Sequence, residues 1–181
     1  MISQNQQPKN TNLLIQTCFL QLLSIKSIEK ITVRELCELA SIHRGTFYRY
    51  YVDMYDLADK IEMQLFQKFE EIHANPSSTS LLNIIKQCVY LIYDEKLVCG
   101  VLFKYKHDTH FFHKVSDMSR VYINQLAVFQ QLDEREKLYT FNYLCAGILG
   151  VIQTWIDSDF QETPDTIIDY INRYIGDFIR L

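Results

Sequence analysis

Apolar residues recur every three or four positions along most of the chain, which is the spacing of amphipathic helices. The first stripe predicts a helix over about residues 9–25 and consists of Leu13, Leu14, Cys18, Phe19, Leu22 and Leu23. Comparable stripes predict further helices over about 31–40, 44–50, 53–73, 79–94, 95–106, 109–129, 133–156 and 164–179. The pattern therefore favours an all-α fold of about nine helices.

Polar residues at the predicted helix starts support these boundaries. Thr32 and Glu35 form a predicted capping box, in which each side chain accepts a hydrogen bond from the other residue's backbone amide. Asp53 is placed to cap the fourth helix, and Thr163 to cap the last. With only 5 Gly and 3 Pro in 181 residues, the chain offers few turns for an all-β fold.

Charge is unevenly distributed. Residues 1–52 hold six basic and three acidic side chains, whereas residues 53–181 hold 12 basic and 19 acidic ones. A basic N-terminal segment followed by an acidic remainder predicts that the N-terminal segment binds a polyanion. The alternative is that so small a difference in charge arose by chance.

The cysteine pattern and the ends of the chain predict a cytoplasmic protein. The five cysteines are odd in number and form no CxxC pair, so no disulfide framework is expected. The N-terminus lacks the apolar core of a signal peptide. The longest apolar run, about 144–152, is too short to span a membrane.

A capped short helix, a three-residue turn and a second short helix predict a helix-turn-helix, with its turn at Ser41-Ile42-His43. The second helix of such a unit enters the major groove of DNA. Its predicted DNA-facing residues are His43, Arg44, Gly45, Thr46, Tyr48, Arg49 and Tyr50. Phe47 and Tyr51 lie one helical turn apart and are expected to face the core. An aromatic core helix is the alternative, and the arginines and the glycine argue against it.

The segment "KITVRELCELASIHRGTFYRYYVDMYDL" (30–57) resembles the DNA-binding region of TetR-type bacterial transcriptional regulators. Residues 147–167 are similar to the C-terminal domain of a small TetR branch that includes activators of dihydroxyacetone kinase genes. The resemblance implies a helix-turn-helix domain at 1–52 and a C-terminal helical bundle at 53–181 for ligand binding and dimerisation. It implies a homodimer on palindromic double-stranded DNA and a possible small-molecule effector. No cofactor and no membrane partner are expected.

The resemblance also assigns contacts. The residues that it places against phosphates are Thr32, Thr46, Tyr48 and Tyr50. It places Arg44 and Gly45 closest to the bases. Two positions depart from the family pattern: Met54 stands where a lysine often meets the DNA backbone, and Ser41 stands where the turn often has glycine.

Two further sets of residues are candidates for the C-terminal domain. The predicted dimer interface consists of Ala146, Gly147, Gly150, Ile168, Ile171 and Ile175, and an internal helix pair is the alternative. The predicted ligand pocket includes Phe103, Phe112 and Tyr143, which could equally be ordinary core residues.

No other chemistry is predicted from the sequence. His107, His110 and His113 recur at three-residue steps, but no further ligand lies close enough in sequence to complete a metal site. There is no phosphate loop, nucleophile elbow or HExxH motif, so an enzyme is not expected. The main rival to a DNA-binding regulator is a helical ligand-binding co-regulator that acts through a partner protein.

Overall fold

The computed structural model describes residues 6–74, 80–105, 110–123 and 127–179. These ranges contain ten α-helices, one 3₁₀ turn (Ile28–Lys30) and no strand, which confirms the all-α prediction. The helices are α1 (Gln6–Leu23), α2 (Val33–Leu39), α3 (Arg44–Tyr50), α4 (Met54–Ala74), α5 (Leu81–Asp94), α6 (Lys96–Tyr105), α7 (His110–Ile123), α8 (Ala127–Gln130), α9 (Glu134–Asp157) and α10 (Pro164–Ile179).

The chain forms two compact units, Met1–Gln64 and Leu65–Leu181, and the boundary between them falls within α4. In the first unit, α1, α2, α3 and the start of α4 surround a small apolar core. Its most deeply buried side chains are Ile15, Phe19, Leu36, Phe47 and Leu57. The periodic apolar positions of the sequence therefore form the packed faces of these helices.

The side chains of two aspartates accept backbone hydrogen bonds at the start of α4. Asp53 Oδ1 accepts from the Asp56 amide at 2.8 Å, and Asp56 Oδ2 accepts from the Val52 amide at 2.9 Å. The hydrogen bond from Lys60, followed by that from Val52, lowers the pKa of Asp56. The predicted cap at Asp53 is confirmed.

The second unit is a bundle organised around Trp155 on α9. The indole is 1% exposed and stacks on Tyr93 at 5.8 Å, while the ring of Phe160 meets it edge-on at 5.1 Å. Its Nε1 donates to the Glu162 carbonyl at 2.9 Å. This buried indole, whose polar atom has a partner, thereby joins α9 to α5 and to the loop that leads into α10.

The end of α9 has an unusual backbone without glycine. Asp159 and Phe160 have φ values of 56° and 58°, in the left-handed region. The Asp159 amide donates to Ile156 O and the Phe160 amide to Trp155 O, both at 3.0 Å, which is the Schellman pattern of helix termination. Left-handed backbone costs a side-chain-bearing residue about 1–2 kcal/mol. Packing of Phe160 against Trp155 helps to offset that cost.

Of the single helix expected over 109–129, residues 110–123 and 127–130 are helical (α7 and α8), and residues 124–126 lie outside the described ranges. None of the helices in the described ranges has the length and hydropathy needed to cross a bilayer.

Candidate functional site

The first functional element is the start of α2. Thr32 is its N-cap, and the hydroxyl accepts from the Glu35 amide at 3.2 Å, as predicted. The reciprocal half of the predicted capping box is replaced, because the Glu35 carboxylate accepts from Lys26 Nζ at 2.6 Å. Lys26, nine positions earlier in the chain, takes the place of the Thr32 amide as the donor to this carboxylate. Thr32 is exposed at the surface of the first unit.

The turn between α2 and α3 depends on Ser41. Its φ is 51°, in the left-handed region, and it stands at the turn position where the resembled family often has glycine. The Ile42 amide donates to Cys37 O at 3.0 Å, and the Ser41 amide donates to Glu38 O at 3.2 Å. This Schellman pattern ends α2 and sets the direction in which the chain enters α3.

Ser41→Gly should therefore raise the free energy of unfolding by about 1 kcal/mol, because glycine has no Cβ penalty at positive φ. Urea denaturation of the two proteins measures the difference. Ser27→Gly is the matched control, since Ser27 has a φ of −66° and gains nothing from glycine. Equal stabilities of wild type and Ser41→Gly would contradict the role given to this turn.

Helix α3 presents two different faces. Phe47 is fully buried, and Tyr51, just past the helix end, is 3% exposed. The Tyr51 hydroxyl donates to Asn12 Oδ1 at 2.5 Å and accepts from Gln16 Nε2 at 3.2 Å, which ties α3 to α1. The prediction that Phe47 and Tyr51 face the core is confirmed.

The outer face of α3 carries most of the residues predicted to contact DNA. His43, Arg44, Gly45, Tyr48 and Arg49 are exposed, whereas Thr46 and Tyr50 are partly buried. Tyr48 is 58% exposed. The structure thus brings His43, Arg44, Gly45, Tyr48 and Arg49 onto the surface of one short helix and its N-cap.

Among the described residues, no acidic side chain forms a salt bridge with the positive charges of this face. In the first unit, three cations elsewhere form salt bridges, namely Lys26 with Glu35, Arg34 with Glu38, and Lys60 with Asp56. Within the part of the chain that the structure describes, Arg44 and Arg49 form no salt bridge. Two exposed guanidinium groups without an acidic partner form a surface suited to a polyanion.

Nothing in the backbone conformation or packing around Gly45 requires glycine at this position. Its φ is not positive, and a Cβ added there would meet nothing within 4 Å. Glycine inside a helix costs about 1 kcal/mol relative to alanine. The absence of a side chain therefore favours close approach by something outside the chain.

Met54, which occupies the position of the expected lysine, is the first residue of α4 and is 5% exposed. Its side chain belongs to the core of the first unit. The nearby Lys60 is already engaged, because Nζ donates to Asp56 Oδ2 and to the Tyr50 carbonyl. No cation at the start of α4 takes the place of the lysine.

A separate cavity of about 110 Å³ lies in the second unit, between α4, α5, α6, α7, α8 and α9. Phe103, one of the three candidate pocket residues, lines it. The side chain of Phe112 lies outside the described residues. Tyr143 does not line it: it is 77% exposed on α9, because it projects from the helix away from Phe141 and Leu144, which do.

The polar groups of the cavity form one small patch that sequence reasoning missed. His73 on α4 is 6% exposed; its Nδ1 lies 2.7 Å from the Phe69 carbonyl and its Nε2 lies 3.0 Å from Ser119 Oγ. Ser116 Oγ accepts from Cys145 Sγ at 3.3 Å. The three-residue spacing of Ser116 and Ser119 on α7 was a signal in the sequence, but it is common on exposed helices.

Burial shifts the pKa values of two side chains that line the cavity, His73 and Cys88. Desolvation lowers the pKa of His73, so the ring is held neutral. Desolvation raises the pKa of Cys88 to about 12, which keeps the thiol protonated and unreactive.

The His73 shift makes stability depend on pH. Because the folded-state pKa lies below the unfolded value of about 6.5, stability is complete above that pH and falls as the pH drops below it. His73→Gln should flatten this dependence, whereas His113→Gln, at an exposed histidine, should leave it unchanged. Urea midpoints at pH 5 to 8 measure it. An unchanged acid-side loss in His73→Gln would assign the effect to other groups.

The predicted dimer residues separate into two groups. Ala146, Gly147 and Gly150 are exposed on α9, and a Cβ at either glycine would meet nothing within 4 Å. Ile168, Ile171 and Ile175 are buried in the core of their own unit, because α10 packs its apolar stripe against α5 and α9. Ile171 and Ile175 also form the floor of a groove that Tyr143 and Tyr174 border.

Among the described residues, no three histidine, cysteine or acidic side chains are placed to hold a metal ion. His107 and the side chain of His110 lie outside those residues.

The fold and the α2–α3 unit are those of a helix-turn-helix transcriptional regulator. A family model described as a transcriptional regulator C-terminal region, of the TetR type, matches residues 79–177, more than half of the chain. The chain belongs to the TetR family of transcriptional regulators.

Individual relatives agree with this assignment. The chain is 22% identical to the HTH-type transcriptional regulator YxbF of Bacillus subtilis (strain 168), an alignment that covers 88% of this chain and 43% of that protein. The chain thus spans less than half the length of this relative.

Two solved structures share the fold. The dihydroxyacetone kinase operon activator DhaS matches with a TM-score of 0.65 at 18% identity, over 94% of this chain and 96% of that one. NalD, the secondary repressor of the MexAB-OprM multidrug efflux pump in Pseudomonas aeruginosa, matches with a TM-score of 0.70 at 14% identity, over 96% and 98%.

Proposed function

We propose that this regulator binds a palindromic DNA operator as a homodimer, with α3 of each copy in the major groove, and that a small molecule in the second unit modulates binding. The proposal rests on the outer face of α3, where Arg44 and Arg49 are exposed and form no salt bridge among the described residues. Such a protein would act in the cytoplasm, where bacterial DNA lies. It would act by binding and not by catalysis.

The contacts divide by chemistry. Arg44, at the start of α3, can donate two hydrogen bonds to a guanine edge. The hydroxyls of Thr32, Thr46, Tyr48 and Tyr50 can donate to phosphates, which fixes register without reading sequence. Arg49 and His43 add donors at the same surface.

Dimerisation is supported by the exposed face of α9. Gly147 and Gly150 lie inside a long helix, where each costs about 1 kcal/mol relative to alanine, and neither is needed by its own chain. Together with the groove between α9 and α10, they suit close packing of a second copy. Sedimentation equilibrium tests this: Gly147→Arg should convert a dimer to a monomer, and a monomeric wild type would contradict the proposal.

A salt-titrated gel shift on the region upstream of the chain's own gene tests DNA binding. We expect sequence-selective binding whose logarithm of affinity falls linearly with the logarithm of salt concentration. Failure to bind at low salt, or binding without sequence preference, would favour the co-regulator that acts through a partner protein.

Gly45→Ala separates folding from binding in the same assay. Alanine should stabilise α3 by about 1 kcal/mol and fit freely in the unbound chain. Its methyl group should nevertheless weaken DNA binding, because it occupies space that the nucleic acid needs. Binding as tight as wild type would show that DNA does not approach α3 at this residue.

A further inference from the structure

The wall of the cavity in the second unit is almost entirely apolar and carries no charged side chain among the described residues. Apart from the patch at His73, Ser116, Ser119 and the thiols of Cys88 and Cys145, the described side chains that line it are apolar. None of them is Asp, Glu, Lys or Arg. A charged ligand would be buried without a counter-charge, which costs far more than the contacts it could gain.

The size of the cavity limits the ligand to about one ring. Its volume is about 110 Å³. An apolar protein cavity of about 150 Å³ admits benzene and otherwise stays dry. Side chains such as Phe103 and Val115, which are only partly buried, leave some room for adjustment around a ligand of this size.

The hydrogen bonds of the patch fix which polar group it can accept. The Phe69 carbonyl can only accept, so in the neutral ring Nδ1 of His73 carries the proton and Nε2 is an acceptor. Ser119 has one proton and two acceptors in reach, Nε2 at 3.0 Å and the Val115 carbonyl at 2.7 Å. The Val115 carbonyl has a second lone pair beside the one that accepts a helical N–H, so Ser119 Oγ donates to it, and Nε2 of His73 lies within reach of the same proton. Whichever acceptor takes the proton, Ser119 Oγ keeps its lone pairs for a ligand that donates.

We propose that this cavity binds a small uncharged molecule with an apolar body of about one aromatic ring and one hydroxyl group that donates to Ser119 Oγ. His73 acts as a positioning residue: its Nε2 lies 3.0 Å from Ser119 Oγ and holds that side chain in place, and it need not touch the ligand. The inference rests on the proposed function only in treating this molecule as an effector of DNA binding.

The test measures binding to the full chain without DNA, by isothermal titration calorimetry with three probes. Phenol carries the ring and the donor, toluene carries the ring alone, and benzoate carries a charge. Phenol and toluene should bind, and benzoate should not bind at pH 7. Benzoate binding as tight as phenol binding, or no binding of either neutral probe at millimolar concentration, would overturn the proposal.

Variants locate the hydrogen bond. Ser119→Ala should weaken phenol binding by about five- to tenfold and change toluene affinity less than twofold. Ser119→Thr should restore the phenol affinity, and Ser158→Ala, at a serine bonded to Trp155 O outside the cavity, should change neither. Val115→Phe, which fills the cavity, should abolish both. Equal loss of phenol and toluene in Ser119→Ala would refute the donor assignment.

The two proposals can fail separately. Loss of probe binding with intact DNA binding removes the ligand inference alone. Failure of DNA binding with intact, Ser119-dependent phenol binding removes the regulator proposal and leaves the ligand class in place.

Discussion

Phe47→Ala should lower the free energy of unfolding of the N-terminal unit by about 3–5 kcal/mol. The ring is fully buried and packs against Tyr51 at 5.7 Å, so its removal leaves a cavity where α3 meets the small core. A loss of this size is a large fraction of the free energy of unfolding of a small domain, which is about 5–15 kcal/mol in total. The variant should therefore lose the ordered α3 surface together with DNA binding.

Urea denaturation followed by circular dichroism measures the loss. Tyr48→Ala is the matched control, because Tyr48 is adjacent in the same helix and 58% exposed. It should cost less than about 1 kcal/mol. Equal destabilisation by both substitutions would contradict the assignment of one face of α3 to the core and the other to solvent.

Arg44→Ala should relax base preference at one position of each operator half-site by about 1–3 kcal/mol, which is up to about a hundredfold in affinity. The guanidinium is exposed and has no salt bridge among the described residues, so the substitution removes the proposed contact to DNA without breaking a salt bridge described in the protein. Binding competitions over operators varied one base pair at a time measure it.

Two comparisons control this result. Arg34→Ala removes an arginine that already pairs with Glu38 at 2.8 Å, and it should leave base preference unchanged. Tyr48→Phe removes a hydroxyl assigned to phosphate, and it should weaken binding similarly on every sequence. If Arg44→Ala also weakened all sequences equally, its assignment to a base edge would be wrong.

The local signals of the sequence predicted the N-terminal unit well. The Thr32 cap, the Asp53 cap and the inward faces of Phe47 and Tyr51 all depend on residues within a few positions of one another. Capping and helical periodicity are short-range effects, so a single sequence contains them.

The features that the sequence did not predict depend on distant neighbours. Glu35 bonds to Lys26 and not to the Thr32 amide, because a cation nine residues away reaches it. The polar patch of the cavity needs α4 and α7 side by side to bring His73 to Ser119. From the sequence, the apolar stripe of α10 could pack either against a second copy of the chain or against helices of the same chain. In the structure it packs into the core of its own unit.

The end of α9 shows a different limit. Asp159 and Phe160 adopt left-handed backbone that sequence rules assign to glycine or asparagine. The aromatic packing of Phe160 on Trp155 is a tertiary effect that those rules do not contain.

The structure of the chain bound to its operator tests the proposed DNA contacts most directly. We expect a two-fold dimer with α3 of each copy in successive major grooves, the two helices about 34–36 Å apart from centre to centre, and Arg44 at a base edge. A complex in which α3 lies away from the DNA, or in which the spacing of its two copies does not match the helical repeat, would contradict the proposed binding mode.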